Sequence, residues 1–230
     1  MIVQERPDCF VLIKQHDHSL LSGEFAKHWA ESPRPFEPTL YAIANHDIGW
    51  QTLDATVRWN EARGEPYSFT SYPIEPKLRA YEEGLDFLEA RSPYAACLCS
   101  MHFESFVRGS EDEAEVRFRE GEIRRQEKLR DLMSAEELER LEYNFHLLQL
   151  CDDLSLFVCL NEPGRNEHPW FKNGFDFEGT KFEPLWEDRR TFRLESNPFS
   201  EPFDLAVPYT LIEKSGKIIG SNRLELQVAG

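Results

Sequence analysis

The sequence predicts a mainly α protein: a helical bundle carrying a small antiparallel β appendage. Two observations carry that expectation. From about residue 19 to residue 160, apolar positions recur at steps of three and four, the period of helices with one buried face. Beyond Gly164 the period changes to two, with Phe203, Leu205, Val207, Tyr209 and Leu211 alternating, then Leu224, Leu226 and Val228. Residues 1–164 therefore read as a helical domain and 165–230 as a β-rich extension folded against it.

Taken in order, Met1–Lys14 reads as a short hairpin, with Ile2-Val3 and Cys9–Ile13 flanking a Pro7-Asp8 turn, a candidate addition to the C-terminal sheet. A helix is expected from about Ser19 to Glu31, stopped by Ser32-Pro33. A second runs from Phe36 to Asp47 and closes near Gly49. Residues 50–73 form a connection long enough to suggest a functional loop, with arginines between aromatics. Glu75–Ala90 is amphipathic through Leu78, Tyr81, Leu85 and Leu88. Pro93, tolerated in a first turn, opens a helix to about Val107. Glu111–Met133, dense in both charge signs, reads as a solvated helix laced with ion pairs. Ser134-Ala135-Glu136-Glu137 has the pattern of a capping box and opens a long helix ending at Asn161–Gly164.

Composition bounds the partners. With 26 basic against 42 acidic side chains the formal charge is -16. Such a surface repels phosphate backbones and anionic lipid, which argues against binding nucleic acid or membrane in bulk. A small anionic substrate remains compatible if one pocket is locally positive, and a homo-oligomer stays open. The five cysteines lack the spacing of a disulfide framework, and neither a signal peptide nor a membrane-length apolar run is visible, so the cytoplasm is the expected compartment.

Asp152 breaks the pattern. It occupies a core position in the stripe Leu141, Phe145, Leu148, Asp152, Ser155, Cys159, where a carboxylate is costly without a compensating charge. His18 falls with Ser22, Phe25 and Trp29, Asp47 with Leu40, Ile43 and Ala44, and His102 with Leu98, Cys99 and Phe106. Polar groups turned into one helical core point to a shared cation. Imidazole with carboxylate suits one divalent transition metal, zinc, iron, manganese or nickel, with magnesium in play. The expected ligands are His18, His46, Asp47, His102 and Asp152. Adjacent His46 and Asp47 can share an ion only where a helix end turns both inward, which Gly49 permits.

These residues, in this order, resemble the HD superfamily of metal-dependent phosphohydrolases. His18 in Gln15–Gly23 looks like its first histidine, His46-Asp47 in Ala44–Trp50 like its defining doublet, and Asp152 in Cys151–Leu156 like its final aspartate. More narrowly, the Gln-x-Asp-His start, His-Asp-x-Gly-Trp and Leu-Cys-Asp-x-Leu-Ser-Leu are similar to a bacterial family of unknown function, DUF3891. The wider resemblance implies an HD-like bundle hydrolysing a small phosphorylated molecule, a nucleotide or phosphomonoester, through metal-activated water, with Asp47 as the catalytic carboxylate. Two-metal members carry two further histidines between the doublet and the last aspartate; here Gly49–Phe145 holds His102 alone, so one metal is expected, with Glu104 and His146 as weak candidates for completing a second site. Lys14, Arg58, Arg63, Lys77 and Arg79 are candidate anion contacts, and His16 and Asp17, placed just before the helix, candidate supports of His18. The alternatives are a di-iron oxygenase of HD type and a non-catalytic metal-binding sensor.

Overall fold

The computed structural model describes residues 1–229. It is mixed α/β, about 45% helix and 22% strand, and its strands form a curled six-stranded half-barrel rather than a small appendage. The expectation of a mainly α bundle is thus corrected. The N-terminal strands β1 (Ile2–Glu5) and β2 (Cys9–Ile13) pair with each other, and β2 pairs antiparallel with β9 (Phe203–Glu213). Strand β10 (Ile218–Val228) follows on β9; then come β8 (Thr191–Leu194), parallel to β10, and β7 (Pro184–Trp186). The order is β1-β2-β9-β10-β8-β7. Two-residue strands β3 (Trp59–Asn60) and β4 (Glu65–Pro66), and a hairpin of β5 (Phe175–Phe177) and β6 (Thr180–Phe182), lie outside it.

The helices are α1 (Gln15–Lys27), α2 (Phe36–Asn45), the short α3 (Trp50–Leu53), α4 (Ile74–Glu89), α5 (Pro93–Phe106), α6 (Glu113–Arg130) and α7 (Ala135–Leu160). Helix α5 is buried continuously from Tyr94 to Glu104, as a helix apolar on all sides must be, and occupies the centre. Helix α6 buries only Phe118, Glu122, Gln126 and Leu129, one narrow stripe on an outer helix. At the head of α7, Ser134 Oγ accepts from Glu137 N–H while the Glu137 carboxylate accepts from Ser134 N–H, the reciprocal capping box. Among the described residues no helix is long and apolar enough to cross a membrane.

Sheet and helices share one core. Phe25 of α1 lies 5.9 Å from Phe203 and 6.2 Å from Phe192 between ring centroids, and Phe157 of α7 lies 5.8 Å from Phe192. The inner face of the sheet thereby holds α1 and α7, the helices that carry His18 and Asp152. Helix α1 begins at Gln15, four residues before the expected start, so His16 and Asp17 sit in its first turn rather than ahead of it. Gly49 explains the turn after α2: a Cβ there would lie 1.9 Å from the Ala80 carbonyl oxygen, so only glycine lets this turn rest against α4.

Candidate metal centre

Four segments deliver the site. His18 comes from α1, His46 and Asp47 from the turn closing α2, His102 from α5 and Asp152 from α7; all five are buried. His46 is the C-cap of α2, where the chain leaves the helix, and this lets two neighbours face one centre despite the 100° step of a helix.

The separations discriminate between hydrogen bonding and ligation. His46 Nε2 lies 3.4 Å from Asp152 Oδ1 and 3.8 Å from Asp47 Oδ2; His102 Nε2 lies 3.4 Å from Asp152 Oδ2; His18 Nε2 lies 3.7 Å from Asp152 Oδ1. These are too long for good N–H···O bonds. The two of 3.4 Å equal the roughly 3.4 Å edge between two ligands of a tetrahedral ion with bonds of about 2.0–2.1 Å, and those of 3.7 and 3.8 Å exceed it by a few tenths of an ångström. Only His18 Nε2 to Asp47 Oδ2, at 3.0 Å, falls in the hydrogen-bond range. His18, His46 and Asp152 form a set whose ligand atoms lie within 4.8 Å of one another, flanked by Asp47 and His102.

The outer hydrogen bonds set the tautomers. His46 Nδ1–H donates to the Ile43 carbonyl at 2.8 Å, which leaves Nε2 as a lone pair; buried, that atom has no hydrogen-bond partner. Ser155 Oγ–H donates to the Asp152 carbonyl at 2.8 Å, so the same oxygen accepts from His18 Nδ1–H at 2.6 Å and turns the His18 Nε2 lone pair inward. Ser22 Oγ donates to Ser155 Oγ at 2.9 Å, and Gln15 Nε2 donates to Asp47 Oδ2 at 2.9 Å. Such partners fix the orientation and basicity of metal-ligating side chains. Two inward imidazole lone pairs, one of them orphaned, and two carboxylates fit a divalent transition metal.

Two buried carboxylates also call for a positive charge close by. Burial alone would lower the pKa of His46, but Asp47 and Asp152 overcome it and raise it to about 9. Burial would raise both carboxyls; instead the neighbouring imidazoles hold Asp47 below, and Asp152 well below, the usual range. Without an ion the carboxylates thus borrow their positive charge from a proton on His46. His102 goes the other way, pushed down by burial, and so favours the neutral form that ligates.

The model of the family described as protein of unknown function (DUF3891) matches residues 1–214. The chain belongs to the DUF3891 family. No curated protein and no solved structure matches it. In this DUF3891 chain the cluster forms the floor of a pocket of about 310 Å³, walled by α4, the end of α5, α7 and segments around Phe69 and Trp170. Of the five candidate anion contacts, Lys77 lines this pocket. Arg58 and Arg79 line a separate surface depression, Arg63 pairs with Glu65 at 2.7 Å, and exposed Lys14 is the N-cap of α1. His16 is hydrogen-bonded by Ser19 Oγ at 3.3 Å, and Asp17 occupies the first turn of α1. Glu104 turns to Arg108 and His146 to Glu178 and Glu142, away from the cluster. The supports that sequence reading did not name are Gln15, Ser22 and Ser155. Both serines lie on the predicted stripes, where a small polar residue beside a ligand was the available signal.

Proposed function

We propose that this chain is a metal-dependent phosphohydrolase with an HD-type mononuclear site, acting on a small phosphorylated molecule. The observation that supports it is the convergence of imidazole nitrogens and two carboxylates, spaced as the ligands of one ion, at the floor of a pocket whose wall carries Lys77. His18, His46 and Asp152 would hold the ion, with Asp47 and His102 beside them. A bound divalent ion supplies Lewis-acid polarisation of a phosphoryl oxygen and a lowered pKa for water. The protein's own groups supply the rest. Asp47, kept ionised by its neighbours and oriented by Gln15, is the carboxylate that accepts a proton from the attacking water. Lys77 offers its ammonium to the anionic head of the substrate. Phe106 and Val107 shield one side of the pocket, and Tyr81, stacked on Phe103 at 4.0 Å, makes a rigid wall on another.

Elemental analysis together with a phosphate-release screen tests this reading. Wild type should carry about one metal per chain and release phosphate in its presence. His46→Ala should lose the metal, whereas Asp47→Asn should lower turnover by a factor of 10² or more. A chain that retains its metal yet turns over no nucleotide or phosphomonoester would favour a non-catalytic sensor; two irons per chain would favour an oxygenase.

A further inference from the structure

The wall of the pocket, unlike its floor, has its own chemistry. Among the described residues, Lys77 is the only lysine or arginine that lines it, and none of their carboxylates lies within 4.0 Å of its ammonium. Glu115 and Asp153 line the same pocket, so outside the histidine–aspartate cluster its lining offers one lysine against two acidic groups. An unpaired lysine in a cleft of an acidic protein is placed for one anionic group. A chain of phosphates would leave its remaining charges facing carboxylates. The mouth is aromatic. Phe106 at the end of α5 and Trp170 in the turn Pro169–Phe171 are each 55% exposed, an unfavourable exposure for large apolar side chains unless something covers them. Neither is loose: Phe106 lies edge-on to His102 at 4.5 Å, and Trp170 edge-on to Phe69 at 6.1 Å. A volume of about 310 Å³ is near the lower end of the roughly 300–1,000 Å³ of ligand pockets.

We infer that the pocket selects a phosphomonoester of a compact aromatic or apolar alcohol, its single phosphoryl head toward Lys77 and the metal ligands and its body between Phe106 and Trp170. This rests on the phosphohydrolase reading for its reaction and on the pocket wall for its specificity. Hydrolysis would form one P–O bond to water and break the ester P–O bond; of the two protons of water, one ends on the departing alcohol and one on the phosphate released. Polyphosphates and small polar esters would be poor substrates.

The metal-loaded full chain would be compared on benzyl phosphate, methyl phosphate and inorganic tripolyphosphate. The first two release alkoxides of similar basicity, so a rate difference reports the pocket. Binding of benzylphosphonate and methylphosphonate, which have no ester P–O bond to hydrolyse, would be followed by isothermal titration calorimetry. Benzyl phosphate should exceed methyl phosphate at least tenfold in kcat/KM and should outrun tripolyphosphate. Trp170→Ala should collapse the benzyl-over-methyl ratio, and Lys77→Gln should weaken both phosphonates about tenfold, with metal content and melting temperature of each variant matching wild type. Equal rates on benzyl and methyl phosphate, a preference for tripolyphosphate, or a ratio that survives Trp170→Ala would overturn the inference while leaving a phosphohydrolase in place. Trp170-dependent binding of benzylphosphonate with no phosphate released from any ester would uphold the ligand class and sink the hydrolase reading.

Discussion

At the scale of single residues, the geometry of the site depends as much on atoms that would never touch the proposed cation as on those that would hold it. Ser155 is the clearest case. Its oxygen accepts from His18 Nδ1–H because its own proton is committed to the Asp152 carbonyl, so one hydroxyl ties the ligand of α1 to the ligand of α7. Ser155→Ala keeps every ligand but frees the His18 ring and leaves its Nδ1–H buried without an acceptor. Supporting residues of this kind are worth about 10–100-fold in metal affinity. Competition with a chelator should show a loss of that size with the fold intact; unchanged affinity would remove Ser155 from the site. Gly49 acts through space it leaves empty. Its missing side chain would collide with a backbone carbonyl of α4, which cannot rotate aside, so Gly49→Ala must move either α4 or the turn that presents His46 and Asp47. Overpacking of this kind costs about 1–3 kcal/mol. The expected result is a lowered melting temperature together with weakened metal binding, since both outcomes come from one displaced turn.

At the scale of elements, ends and pairings decide what a sequence reveals. The helices were legible because their signals are local: Pro93 in a first turn, the Ser134 capping box, and stripes that put His18, His102 and Asp152 on inward faces. The start of α1 was not. Lys14 caps it without a side-chain hydrogen bond, and the Gln15 N–H is instead taken by Asp54 Oδ2 at 2.7 Å, across 39 residues of chain. No local pattern announces such a cap, and for that reason Gln15 was missed as a partner of Asp47. Strands β7 and β8 escaped similarly: three and four residues long, they are too short for alternation to show, and their hairpin joins the sheet through β8 beside β10, a strand more than thirty residues further on. Outer helix α6 is held to α4 by charge as well as by its apolar stripe. Glu89 accepts from Lys128 Nζ and from Arg125 Nη1, each at 2.7 Å. The Lys128 bond, and after burial's opposing effect the Arg125 bond, hold the Glu89 carboxyl below its ordinary value of 4.5. A carboxyl depressed in the folded state adds stability that is present above its unfolded pKa and is lost as pH falls through the folded one. Glu89→Gln should therefore be less stable than wild type at neutral pH, by about 1–2 kcal/mol at most with Lys128 largely in water. In urea titrations that difference should shrink as pH falls below about 4.5; a constant gap down to pH 3 would mean that the ion pairs contribute nothing.

For the whole molecule, the β-rich tail is structural support for the helices that carry the candidate metal centre. The residues that follow α1 are clamped by chain from beyond residue 190: Ala30 N–H donates to the Pro198 carbonyl and Ser200 N–H to the His28 carbonyl, both at 2.9 Å, while Trp29 packs edge-on against Phe177, Phe182 and Phe199. Strand β2, which leads directly into α1, has its long partner only in β9, some 200 residues away. A pattern-based boundary near residue 164 follows a change in periodicity, yet the core crosses it. Phe171, Phe175, Phe177, Phe182, Phe192, Phe199 and Phe203 are all buried in the same cluster as the helical residues. Each buried phenylalanine is worth roughly 1.5–3 kcal/mol. Together they match or exceed the whole net stability of a typical domain, about 5–15 kcal/mol. A fragment of residues 1–164 retains all five ligand residues and still should not assemble the site, because α1 and α7 lose the surface that sets their separation. Thermal unfolding followed by circular dichroism should show no cooperative transition for the fragment, and equilibrium dialysis no stoichiometric metal, where the full chain shows both. A fragment that melts cooperatively and binds one metal as tightly as the full chain would establish the helices as a self-sufficient metal-binding unit and reduce the sheet to an accessory.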